Sequence, residues 1–158
     1  MEKKYQEALA KRNNNTLLKD RLHLYSKIIY CTLQQYNDKN KKTIESILNT
    51  LIRKSSELNH YTKSTDFVPA KESKNRDKHE HIVPCSVMQK HFIDNPTISK
   101  DEIFDILLKN GLRAIISVQD NNIIDTLYRK SMPLTWKFGD NPLIRYESII
   151  NNIKLRDN

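Results

Sequence analysis

Between Leu17 and Gln35 the apolar residues Leu18, Leu22, Tyr25, Ile29 and Leu33 recur every three or four positions. A helix turns about 100° per residue, so this spacing gathers all five on one face. The polar stretch from Asp38 to Lys42 breaks the pattern, and a second stripe follows through Ile44, Ile47, Leu48, Leu51, Ile52, Ser55 and Leu58. Two amphipathic stripes joined by a short polar turn predict an antiparallel helix pair. Its apolar faces bury each other or meet the C-terminal half. The first dozen residues add a turn or two of helix, interrupted at Asn13-Asn14-Asn15. Residues 1–62 therefore read as a helical hairpin or extension.

Periodicity vanishes over 63–78, a linker that carries Lys74, Arg76 and Lys78. Beyond it the pattern switches to short segments. His81-Ile82-Val83 reads as a strand ended by Pro84, and LRAIISV over 112–118 as a second, β-branched strand. The stretch after Pro84 reads as a turn and loop. Ser99 followed by Glu102 is a capping-box pair, Ile103, Ile106, Leu107 and Leu108 supply an apolar face, and Gly111 fits a helix stop. These residues predict a helix over 99–110. Asp120 reads as the cap of a helix running through Leu127 and Tyr128. Asn141 and Pro142 read as the cap and first residue of a last helix. The expected fold class is α+β, a helical N-terminal part followed by a small mixed unit over 79–158.

Charge narrows the choice of partners. Lys and Arg number 27 against 19 Asp and Glu, a net +8, which favours a polyanion. A Lys- and Asn-rich bias contributes part of that excess. Two cysteines, Cys31 and Cys85, are too few for a four-thiolate zinc site, so no structural zinc is expected. MEKKYQEALAKRNNN has no apolar run and predicts no signal peptide. No segment approaches the ~20 apolar residues that span a bilayer, so a cytoplasmic protein without membrane contact is expected.

Candidate chemistry concentrates in KHEHIVPCS, residues 78–86, which holds two of the five histidines and one cysteine. Imidazole is the one side chain whose unperturbed pKa, ~6.5, lets it take a proton near neutrality. A carboxylate beside it suits a hard divalent cation. Three other readings compete. His79 and His81 share a strand face and chelate a transition metal if His91, Asp94 or Glu80 completes the set. Cys85 is either a thiol activated by histidine or a small apolar residue in a core. Trp136 and Phe138 either stack on a base or anchor a loop. His23 and His60 receive no role.

Glu80-His81-Ile82-Val83-Pro84 resembles the opening of the HNH, or His-Me finger, endonucleases. In that family an acidic-His pair precedes a proline, and a second strand leads into a metal-binding helix. The resemblance covers about residues 79–130. It implies a ββα-metal-like nuclease core with added helices, a single Mg²⁺ or Mn²⁺, and hydrolysis of phosphodiester bonds in DNA, with RNA as the alternative. It further implies His81 as general base and Glu80 as metal ligand. Asn122 is the first choice for the helix ligand and Asp120 the second, and a shifted helix start passes that role to Asp120 or Asn121. Arg145 would neutralise charge on the phosphate, and Lys74, Arg76, Lys78 and Arg145 would contact the polynucleotide. Glu stands where Asp is more usual, and the zinc-binding cysteine pairs of many members are missing. The N-terminal helices offer a scaffold or a homodimer surface. Two rivals remain, a non-catalytic nucleic-acid-binding protein and a helical protein-interaction regulator.

Overall fold

Asn15 is where the first two helices part. Its side chain accepts from the Leu18 amide at 2.9 Å and caps α2 (Thr16–Leu33), while α1 (Glu2–Asn13) ends two residues earlier. A computed structural model describes residues 2–57 and 78–147. Residues 58–77, which hold all of the 63–78 linker but Lys78, and everything after Glu147 lie outside the described residues. The architecture is mixed α+β, with N-terminal helices, a small two-stranded antiparallel sheet and further helices.

The periodic face of α2 buries Leu18, Leu22, Ser26 and Ile29, and α3 (Lys41–Glu57) buries Ile44, Leu48, Ile52 and Ser55. Both stripes enter one apolar cluster with α4 (Cys85–Asp94) and α5 (Lys100–Asn110). The N-terminal helices thus share a core with the later half of the chain. Burial of such faces is worth about 25 cal/mol per Å² of apolar surface.

Helix α5 starts as expected. Ser99 Oγ accepts from the Glu102 amide at 3.2 Å, and Glu102 Oε2 accepts from the Ser99 amide at 2.8 Å. Helix α4 departs from the expected loop. Cys85, Met88 and Phe92 are buried at spacings of three and four, a stripe too short to register beside Pro84 and Asn95.

The first strand, β1 (Lys78–His81), is shifted toward the N-terminus from the expected 81–83, and β2 (Arg113–Ile116) is shorter than the expected 112–118; they pair with Glu80 opposite Ala114 and His81 opposite Arg113. The Ile82 amide still donates to the Leu112 carbonyl at 3.1 Å, so one further bond continues the pairing. Helix α6 (Val118–Tyr128) begins two residues before the expected cap, Asp120. Ser117 caps it, its Oγ accepting from the Asp120 amide at 3.1 Å, so Asp120 lies inside the first turn. At the far end Asn141 accepts from the Leu143 amide at 3.0 Å, ahead of a helical turn over 144–147. A second apolar cluster, including Tyr5, Ile82, Ala114, Ile124, Leu143 and Tyr146, joins α1, the sheet, α6 and this turn.

Arg12 sews α1 to α5. It is fully buried, and its guanidinium donates from Nε to the Leu108 carbonyl at 2.9 Å and from Nη2 to the Leu107 carbonyl at 3.0 Å. A cation at a helix C-terminus also meets the negative end of the helix dipole. Burial lowers its pKa to about 10, with Tyr5 opposing that shift, so it stays charged at neutral pH. Gly111 leaves the room this contact needs. A Cβ there would meet the Leu107 carbonyl oxygen at 2.5 Å and Arg12 Nη2 at 3.2 Å.

Gly111→Ala is expected to destabilise the protein by about 1–3 kcal/mol through overpacking against backbone. Arg12→Met, which leaves the Leu108 carbonyl without its donor, should cost a similar ~1–3 kcal/mol. Urea unfolding of the two variants beside wild type checks both. An unchanged midpoint in either one contradicts the role given to this contact.

Candidate active site

The end of β1 is held from two sides. On one, Arg145 is fully buried and donates from Nη1 to Glu80 Oε1 and to the His81 carbonyl, both at 2.7 Å. Its Nη2 donates to the Tyr128 carbonyl near the end of α6 at 2.8 Å. A planar guanidinium can bridge a carboxylate and two carbonyls at fixed angles, which an ammonium cannot. On the other side, α3 brings Ser56 to His81, with Oγ 2.8 Å from Nε2.

The serine contact orders the imidazole. Ser56 Oγ is 2.8 Å from the Arg53 carbonyl and 3.2 Å from the Ile52 carbonyl. A hydroxyl has one proton, and carbonyls only accept. With that proton directed to the α3 backbone, Oγ accepts from Nε2–H. In that arrangement the basic lone pair of His81 lies on Nδ1, and in the reverse one, with Ser56 donating to Nε2, the other tautomer is held.

Glu80 is a partly screened carboxylate with a side chain 20% exposed. Burial raises its pKa above the ordinary glutamate value, and Asp125 pushes the same way. Arg145, by charge and hydrogen bond, and Arg53 from α3 pull it down. Desolvation is the largest of these effects, so the net shift is upward. Asp125 belongs to α6 and accepts from Asn121 Nδ2 at 3.0 Å, one turn away.

The expected site residues are distributed unevenly. Glu80 and His81 are consecutive at the end of β1, so their side chains leave the strand on opposite faces. Asp120 is buried, and its Oδ2 accepts from Ser117 Oγ at 2.8 Å within the cap of α6. Asn122 is exposed, roughly 200° around the helix from buried Ile124. Arg145 lies beneath Glu80 with no surface exposure, so its role here is to hold the strand end. Lys78 is exposed at the start of β1, whereas Lys74 and Arg76 lie outside the described residues.

The competing assignments fare differently. His91 packs on Phe138, with ring centroids 4.2 Å apart, and Asp94 pairs with Lys90 at 2.6 Å. Among the described residues no three His, Cys, Asp or Glu side chains gather as a metal cluster. Cys85 is buried in the helical core at the first turn of α4. Trp136 is buried and meets Phe138 edge-on at 4.9 Å, the loop-anchoring arrangement. Among the described residues no helix is long and apolar enough to cross a membrane.

Sequence reasoning missed Ser56, Arg53 and Asp125. The i, i+4 pair Asn121 and Asp125 is visible in DNNIID, but only a correct helix start shows that it shares a face. Ser56 reaches His81 across 25 positions, and no local signal links them. Asp125 is near enough to Glu80 to act on it electrostatically, and Asn121 donates to Asp125.

Comparison with models of known families, with curated proteins and with solved structures finds no match for the chain.

The upward shift of Glu80 has a signed consequence. Its folded-state pKa exceeds the unfolded value, so its contribution to stability is fully present below the unfolded pKa and is lost as pH rises through the folded one. Unfolding free energy measured with chelator present should decline over that window. Glu80→Gln should flatten the decline. Parallel wild-type and variant curves would remove Glu80 as its source.

Proposed function

We propose that the chain is a divalent-cation-dependent endonuclease that hydrolyses phosphodiester bonds in DNA, with His81 as general base. The observation that carries this reading is the Ser56–His81 contact, because it fixes the ring of a histidine whose chain neighbour is a carboxylate. Imidazole is suited to deprotonating water near neutral pH. The net charge of +8 supports a polyanionic substrate, and Arg53 and Lys78 are exposed cations at the two ends of this region.

In this reading His81 Nδ1 removes the proton from water as its oxygen attacks phosphorus, and the bond to the leaving 3′ oxygen breaks. A bound Mg²⁺ or Mn²⁺ supplies positive charge at the phosphate and the leaving oxygen. Glu80, Asp125 and Asn121 would hold that ion, and Ser56 would keep the imidazole in the productive tautomer. Arg145 positions the Glu80 carboxylate and the backbone of His81 from below. A second reading, a non-catalytic nucleic-acid-binding protein, is favoured by one observation. Glu80 is already engaged by Arg145, as in a purely structural ion pair.

Plasmid nicking over a metal series separates the two readings. Activity should require Mg²⁺ or Mn²⁺ and stop with chelator. His81→Ala should lose ~10²–10⁴-fold in rate while DNA binding persists. Ser56→Ala should lose on the order of 10-fold, the equivalent of about 1.4 kcal/mol for one orienting hydrogen bond. Full activity in His81→Ala, or DNA binding with no cleavage under any metal, overturns the endonuclease reading.

A further inference from the structure

The face of α2 turned away from the core carries apolar residues of its own. Leu17, Leu24 and Ile28 are 61%, 58% and 40% exposed, and Cys31 is exposed as well. Positions 17, 21, 24, 28 and 31 follow the alternating three- and four-residue spacing of a coiled-coil seam, with Arg21 as the one charged member. A helix whose other side is already committed to Leu18, Leu22, Ser26 and Ile29 does not need these residues for folding.

We infer that α2 pairs with α2 of a second copy of this chain, antiparallel about a two-fold axis at Leu24. The charges on its flank select this occupant and this direction. Asp20 and Lys27 lie along the same edge of the stripe, four residues before Leu24 and three after it. A two-fold axis at Leu24 sets Asp20 of each copy beside Lys27 of the other, so both ends of the seam are complementary. The same axis sets Leu17 against Cys31 of the other copy and Arg21 beside Ile28. A parallel pairing instead sets Arg21 on Arg21 across the seam and puts the Asp20–Lys27 edges of the two copies on opposite sides, so the like charges repel and the complementary ones do not meet. Two facing helices form a small isologous contact, below the ~1,200 Å² typical of tight complexes, so the dimer is concentration-dependent.

Cysteine cross-linking on the full chain tests both pairing and direction. Residues 17 and 31 are about 21 Å apart along one helix, whereas a disulfide needs Cα atoms within ~7 Å. Under mild oxidation Leu17→Cys should form a covalent dimer through Cys31 of the other copy. Wild type should not, because its two Cys31 residues lie at opposite ends of the seam. Adding Cys31→Ser to Leu17→Cys should abolish the band. In sedimentation equilibrium, wild type should associate as concentration rises. Asp20→Lys or Lys27→Asp alone should weaken association at least several-fold, and the double exchange should restore it. Leu24 is exposed, so Leu24→Lys should give a folded monomer whose unfolding midpoint matches wild type at concentrations where both are monomeric. A wild type that stays monomeric at all concentrations overturns the inference. So does wild-type Cys31 cross-linking as readily as Leu17→Cys, which is the mark of parallel pairing or random collision.

Discussion

A cation without access to water has to be surrounded by fixed acceptors, and Arg145 is where this chain meets that demand. Its Nη1 spans the Glu80 carboxylate and the His81 carbonyl, and Nη2 reaches the Tyr128 carbonyl. Removing any of these partners leaves charge or a polar group stranded in low dielectric, which typically costs several kcal/mol. The end of β1, the end of α6 and the turn over 144–147 are therefore positioned as one unit. Tyr146, next in the chain, is fully enclosed beside it, and burial drives its hydroxyl pKa upward. The Glu80 side chain and His81 backbone inherit their placement from this centre. The imidazole is set separately, by α3.

That division explains why the parts of the molecule were unequally legible in the sequence. The stripes of α2 and α3 follow from local periodicity, because each helix has only to bury one face. The start of α5 follows from two residues three apart, Ser99 and Glu102. The start of α6 was hidden by chemistry that overlaps: LRAIISV is β-branched to its end, yet Ser117 is also a capping residue and takes Val118 into the helix. Helix α4 was hidden by Pro84, which reads as a stop but here precedes the first turn. In each case a short segment carried two compatible local signals, and tertiary contact chose between them.

The candidate site divides along the same line. Glu80 and His81 are neighbours in the chain, and their pairing announces itself. Ser56 and Asp125 come from helices whose register toward β1 depends on packing that no short window contains. Asp120 and Asn122 carry suitable donors, but one is taken up by the cap of α6 and the other faces solvent. Electrostatics follows the geometry. Repulsion from Asp125 and desolvation act together on Glu80, and Arg145 offsets them only in part.

The two strands also say something about the order in which the molecule assembles. His81 and Arg113 pair across an interval that contains all of α4 and α5, where a simple hairpin would need a turn of about two residues. Each doubling of a closed loop costs ~0.6 kcal/mol, so closure over this interval is roughly 2 kcal/mol dearer than in a tight hairpin. Helices α4 and α5 form from local contacts and, once seated on α2 and α3, shorten the effective distance between the strand ends. Seating the helices first is the route with the lower closure cost for the sheet. The geometry at the end of β1 therefore depends on the helices that bridge this interval.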